Sequence, residues 1–171
     1  MRAPSRLLYR ARQFRLALLG PRPPVPEQAL SPQLSPALIT LFRRMQPSEQ
    51  AHSLAVRDRL IAGGWTDPDL LTAALLHDVG KVRFPLRVWD RVLVVVAKRL
   101  APRLVHRLAT GEPGGLRRPF VVALRHAEWG ADLAAQAGAT PGSVALIRRH
   151  QEPAAAGDTL LQLLQQADEH E

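Results

Sequence analysis

His77 and Asp78 are adjacent, and Gly80-Lys81 follows two residues on, closing the run LLTAALLHDVGK. An imidazole, a carboxylate and an ammonium thus end a stretch of small and branched apolar residues. Apolar burial excludes such groups unless they are paired or hold a metal. A neutral imidazole and a carboxylate at a helix end can both ligate a hard or borderline divalent cation. A bare His-Asp pair, taken alone, reads more readily as a hydrogen-bonded helix-end histidine beside a capping aspartate.

The remaining titratable residues change that balance. The chain has six histidines and no cysteine. Disulfides, thiolate zinc sites and cysteine nucleophiles are therefore excluded, and any metal must sit on nitrogen and oxygen. His52, His126 and His150 are each embedded in an apolar pattern, and Asp168 lies near the end of a leucine-rich run. The gaps between His52, His77-Asp78, His126, His150 and Asp168 are 25, 48, 24 and 18 residues. Each is about one helix plus a turn or more, so a bundle could bring these residues to one interior point.

The elements that must do so read as helices almost throughout. Leu38, Ile39, Leu41 and Phe42 form a helical stripe. A second helix is expected from Ser48 to the Gly63-Gly64 stop. Thr66-Asp67-Pro68 is a strong start signal for a third, running from Asp69 to His77 and turned out through Gly80. Phe84 to Leu108 reads as one long helix, or two broken at Pro102. Further helices are expected from Pro119 to Ala137 with an interruption near Gly130, from Thr140 to His150, and from Ala154 to the C-terminus, where Leu160, Leu161, Leu163 and Leu164 form the buried side. No strand alternation is visible, so the expected class is all-α: a compact bundle of about six to eight helices.

Charge is uneven. The net charge is +8; residues 1–26 carry six arginines and no acid, and residues 81–125 carry eleven Lys and Arg against Asp90 and Glu112. Such faces suit phosphate-bearing ligands, nucleic acid or anionic membrane, or they are simply solvated. The expected organisation is a basic amphipathic segment over 1–19, a Pro-rich linker or extended wrap over 20–36, and a helical domain over 37–171. No run reaches the ~18–20 apolar residues of a spanning helix, so a cytoplasmic protein with peripheral contact to anionic membrane through 1–19 is the expected setting. The arginines of 81–125 have few interleaved aromatics, which disfavours single-stranded nucleic acid.

The ordered pattern resembles the HD-domain superfamily of metal-dependent phosphohydrolases. His52 in EQAHSLAVRDRL matches the family's first histidine. His77-Asp78 in LLHDVGK matches the name-giving pair, and Asp168 in LLQQADEH matches the closing aspartate. His126 in RHAEWG and His150 in IRRHQEP resemble the two further histidines of the two-metal branches. The similarity runs from residue 48 to 169.

The resemblance implies one ion held by His52, His77, Asp78 and Asp168, with Asp78 bridging to a second held by His126 and His150. The donor set suits Mn, Fe, Ni, Co, Zn or Mg. It further implies hydrolysis of a phosphate ester, in a nucleotide or a phosphodiester, by a metal-activated water, with Asp78 and Lys81 catalytic. A non-catalytic module that binds a nucleotide or a partner is the alternative, because fold does not dictate function. Gln151 and the following EPAAAGD depart from the cyclic-dinucleotide phosphodiesterase pattern. The basic and acidic signature of the alarmone hydrolases is absent. His106 and His170 match nothing in the family and read as surface residues.

Overall fold

A computed structural model describes residues 24–169. The basic segment 1–19 and His170 lie outside the described residues. Among those described there are eight α-helices and no strand. They are α1 Pro36–Phe42, α2 Pro47–Ala62, α3 Pro68–Leu76, α4 Val88–Leu100, α5 Pro102–Ala109, α6 Arg118–Gln136, α7 Pro141–Arg149 and α8 Thr159–Glu169. The all-α class is as expected.

The third helix is the axis of the fold. Every residue from Leu70 to Leu76 is buried. A helix that is apolar all round can only sit at the centre of a core. Here α2, α7 and α8 pack around it. Four of its residues are leucines, and burying one contributes roughly 1.5–3 kcal/mol. Asp67 caps its start by accepting from the Leu70 amide at 2.9 Å, and Pro68 occupies the first turn. After Leu76 the chain tightens into a 3-10 turn, Val79–Arg83, which packs on α6. His77 and Asp78 are thus delivered at the C-terminal end of the most buried element.

From residue 24 onward the chain carries a short 3-10 helix, Glu27–Ala29, and lies against the main body. Leu30 and Leu34 are buried in the main core. Arg57 Nη1 donates to the Ala29 carbonyl at 2.6 Å, and Thr72 Oγ1 donates to that of Gln33 at 3.0 Å.

Four local expectations are corrected. The α2 helix starts at Pro47, not Ser48, because Glu49 accepts the Gln46 amide at 3.1 Å and completes a capping box around Gln46. The Phe84–Leu108 stretch takes the expected two-helix form, broken at Ala101-Pro102, but the first helix begins only at Val88, after Pro85 and the Arg87 cap. The last helix begins at Thr159 rather than Ala154, since Gly157 at φ 92° turns the chain beforehand; on it Leu161 and Leu164 are buried, Leu160 and Leu163 only partly. The sixth helix runs through Gly130 without a break. The glycine is there for space: a Cβ would lie 3.1 Å from the Gly80 nitrogen and 3.4 Å from Val79 and Ile147 side chains.

A side-chain clasp ties the start of α3 to the start of α7. Thr140 Oγ1 and Ser143 Oγ both donate to Asp69 Oδ1, the latter at 3.0 Å. Ser143 is buried, and without Asp69 its hydroxyl keeps only the contact with Thr140 Oγ1 at 2.8 Å. Asp69→Ala is expected to destabilise the protein by about 1–2 kcal/mol, lowering Tm by about 3–6 °C. Thermal unfolding of the variant checks this, and an unchanged Tm would show the clasp to be inert.

Candidate metal centre

Six of the singled-out residues meet in one place. His52 comes from α2, His77 caps α3, Asp78 precedes the 3-10 turn, His126 is in mid-α6, His150 caps α7 and Asp168 is in the last turn of α8. They form two groups whose ligating atoms lie within 4.8 Å of one another: His52, His77 and Asp168, and then Asp78, His126 and His150.

Backbone carbonyls fix how three of the imidazoles point. His77 Nδ1 donates to the Ala74 carbonyl at 3.0 Å, His126 Nδ1 to that of Val122 at 2.9 Å, and His150 Nδ1 to that of Ile147 at 2.8 Å. Each bond spends the ring proton on Nδ1 and leaves Nε2 with its lone pair facing inward. His126 Nε2 then lies 3.2 Å from His150 Nε2 and 3.1 Å from Asp78 Oδ1. His77 is 1% exposed, and its Nε2 has no hydrogen-bond partner while lying 3.5 Å from Asp168 Oδ1 and 3.7 Å from Asp78 Oδ2. Acceptors aimed at acceptors in a buried place repel one another unless a cation or a proton lies between them. The donor chemistry therefore fits divalent metal, on nitrogen and carboxylate oxygen alone.

Asp78 lies between the groups. Oδ1 faces His126, while Oδ2 faces His77 and accepts from Lys81 Nζ at 2.5 Å. Burial pushes its carboxyl up, but the Lys81 ammonium beside it holds it well below the usual carboxylate range. Asp168 behaves alike: burial raises it, while the hydrogen bond from His52 Nε2 at 2.8 Å holds it well below. His150 goes the opposite way for a base. Burial, with His77 and His126 beside it, pushes its imidazole down to about 3. Both acids stay anionic and His150 stays neutral at pH 7, the forms in which each can ligate a metal.

Acid should therefore unfold the metal-free protein. An unfolded histidine titrates near 6.5, so between about 6.5 and 3 the unfolded chain holds a proton that folded His150 refuses. Stability is full above about 6.5 and falls as pH drops towards the folded value. From pH 6.5 to 5 the loss is about 2 kcal/mol. Asp78 and Asp168 add to the decline below about pH 4, where unfolded carboxyls take protons first. Urea midpoints of chelator-treated protein at stepped pH measure this; a midpoint constant from pH 7 to 5 would be the contrary result.

Several positioning residues carried no legible sequence signal. Gln165, on the same helix as Asp168, donates from Nε2 to the His150 carbonyl at 3.0 Å and to that of Glu152 at 2.6 Å. Arg59 donates to the Ala167 carbonyl at 2.9 Å and ties α8 to α2. Phe84, Leu86, Val121, Val122 and Trp129 form a small core that seats the 3-10 turn on α6. A cleft of about 610 Å³ adjoins the centre, lined by Val105, Ala109, Phe120 and Leu124 together with His150 and Asp168. His106, matched to nothing in the sequence, is exposed and also lines this cleft.

No curated protein and no solved structure matches the chain. The HD domain model matches residues 49–171, a span that contains all six converging residues and Lys81. HD domains bind divalent metals, and most are metal-dependent hydrolases. Helices distant in sequence deliver the imidazoles and carboxylates of the H…HD…D order to one buried centre, and the chain belongs to the HD domain family.

Proposed function

We propose that this protein is a metal-dependent phosphohydrolase that cleaves a phosphate ester, in a nucleotide or a phosphodiester, with an activated water. One observation carries the reading. The Nε2 lone pairs of His126 and His150 are turned toward each other at 3.2 Å, beside a carboxylate oxygen of Asp78. That arrangement offers a divalent cation two nitrogen donors and a carboxylate oxygen at once. His52, His77 and Asp168 would hold one ion, His126 and His150 another, with Asp78 shared between them. Bound there, divalent ions supply Lewis acidity toward phosphoryl oxygens and lower the pKa of a water.

The chain's own groups supply the rest. Lys81, one turn beyond His77 and 20% exposed in its side chain, carries a positive charge to the rim of the centre. There it can stabilise negative charge that develops on phosphoryl oxygens. Its contact with Asp78 also keeps that carboxylate ionised and oriented. The adjoining cleft provides room for the remainder of the ester, with an apolar side from α5 and α6.

The test is turnover by full-length protein supplied with Mn or Fe. Bis-(p-nitrophenyl) phosphate and a panel of nucleotides serve as substrates. Metal-dependent hydrolysis that a chelator stops is the expected outcome. Retained metal with no turnover of any of them would instead point to a binding module.

A further inference from the structure

The α4–α5 hairpin has two apolar sides, and the fold uses only one. Val94 and Val105 turn inward and join Ala109 and Phe120 in a small cluster against α6. A second stripe on α4 turns outward: Trp89, Val92, Leu93, Val96 and Leu100. These stand at i, i+3, i+4, i+7 and i+11, so they share one side of the helix. Trp89 is 79% exposed and Leu100 78%. Leu104 of α5 extends the patch at 52%. Single exposed apolar residues are ordinary, but a continuous stripe of this length marks a contact surface.

The flanks identify what is contacted. Arg99, Arg103 and Arg107 are all exposed on the hairpin. The two acids of the 81–125 stretch offset them little. Asp90 is engaged by the Arg87 amide at 2.8 Å and by Arg118 at 3.2 Å, and Glu112 lies in the loop after α5. An apolar stripe with an exposed tryptophan, edged by arginines, is the pattern of a helix that lies in a membrane interface. A second copy of the chain would bring arginines against arginines. Nucleic acid would leave the stripe wet, since its backbone offers anions and no apolar partner.

We propose that the α4–α5 hairpin docks this protein on an anionic lipid bilayer, with the Trp89–Leu100 stripe inserted at the headgroup boundary. The site is distinct from the metal centre, although α5 also lends Val105 and Ala109 to the cleft beside it. None of the described helices is long and apolar enough to cross a membrane, so the contact is peripheral. The basic segment 1–19, outside the described residues, would add attraction of the same sign.

Flotation with phosphatidylcholine vesicles, with and without phosphatidylglycerol, tests the assignment and needs no turnover. The full chain should float with the anionic vesicles and be progressively released as salt is raised. Trp89→Ser combined with Leu100→Ser should weaken that binding by about tenfold or more. Tm should not move, because neither side chain is buried. Three results would each overturn the proposal: no flotation of the wild type; equal flotation of the double variant, which would place binding elsewhere, as in 1–19; or a wild-type oligomer that the double substitution splits and that ignores vesicles.

Discussion

Asp78→Asn is expected to reduce metal-dependent hydrolysis by about 10³-fold or more while leaving a folded helical protein. The substitution preserves shape and removes one charge at the point where the two groups meet. Asp78 Oδ1 lies 3.1 Å from His126 Nε2, and Oδ2 lies 3.7 Å from His77 Nε2. No other carboxylate stands between both groups among the described residues. An amide is a poor metal ligand and bears no charge to balance two divalent ions. The same change strips Lys81 of its anionic partner, so some stability should be lost as well. Circular dichroism and Tm separate that loss from the catalytic one. A variant that keeps wild-type rates with added Mn or Fe would remove Asp78 from the chemistry.

Gly80→Ala is expected to be the most damaging methyl group in the protein. Its Cβ would lie 1.9 Å from the His126 carbonyl oxygen and 2.7 Å from the Gly130 nitrogen. Both obstacles are backbone atoms of α6, so no rotamer change can relieve the overlap. Relief requires the 3-10 turn to move off the helix, which would separate Asp78 from His126. Overpacking of a tight core costs about 1–3 kcal/mol, and a backbone clash should exceed that. A Tm lower by about 10 °C or more is expected, together with reduced retained metal. Gly138→Ala provides contrast: its φ is +84° and nothing lies within 4 Å of its Cβ, so it should strain one turn and leave the metal untouched. Were Gly80→Ala as stable as wild type, the close approach of the turn to α6 would be wrong.

These glycines show where the sequence could be read and where it could not. Gly80 is legible as the end of a helix, yet its φ is not positive and the requirement is space against α6. Gly130 reads as an interruption for the same reason. A missing side chain looks identical in sequence whether it serves a turn or a close backbone approach, and only the packing partner decides. The helices themselves were visible because α3 is apolar on every side and its neighbours carry stripes. The residues of the centre were visible as types, since imidazoles and acids inside apolar runs need a reason to be there. Their division into two groups came from the family resemblance and not from the residue types, and it placed Asp78 with His52, His77 and Asp168, whereas its closest grouping is with His126 and His150. His77 closes α3 and Asp78 precedes the 3-10 turn, so neighbours in the chain serve different groups. Gln165 and Arg59 act on backbone carbonyls, which have no sequence signature at all. The outward stripe of α4 was equally hidden, because Val92, Leu93 and Val96 look like core until α6 is seen to take the other side.

Metal stoichiometry is the most direct measure of the centre. Full-length protein loaded with Mn, freed of loosely held ions and digested for elemental analysis, should retain about two equivalents per chain, one for each group. His77→Ala and His150→Ala should each lower that content with helical structure preserved. A wild-type chain that leaves the column metal-free, or one whose metal is indifferent to both substitutions, would contradict a cation-holding centre at this place.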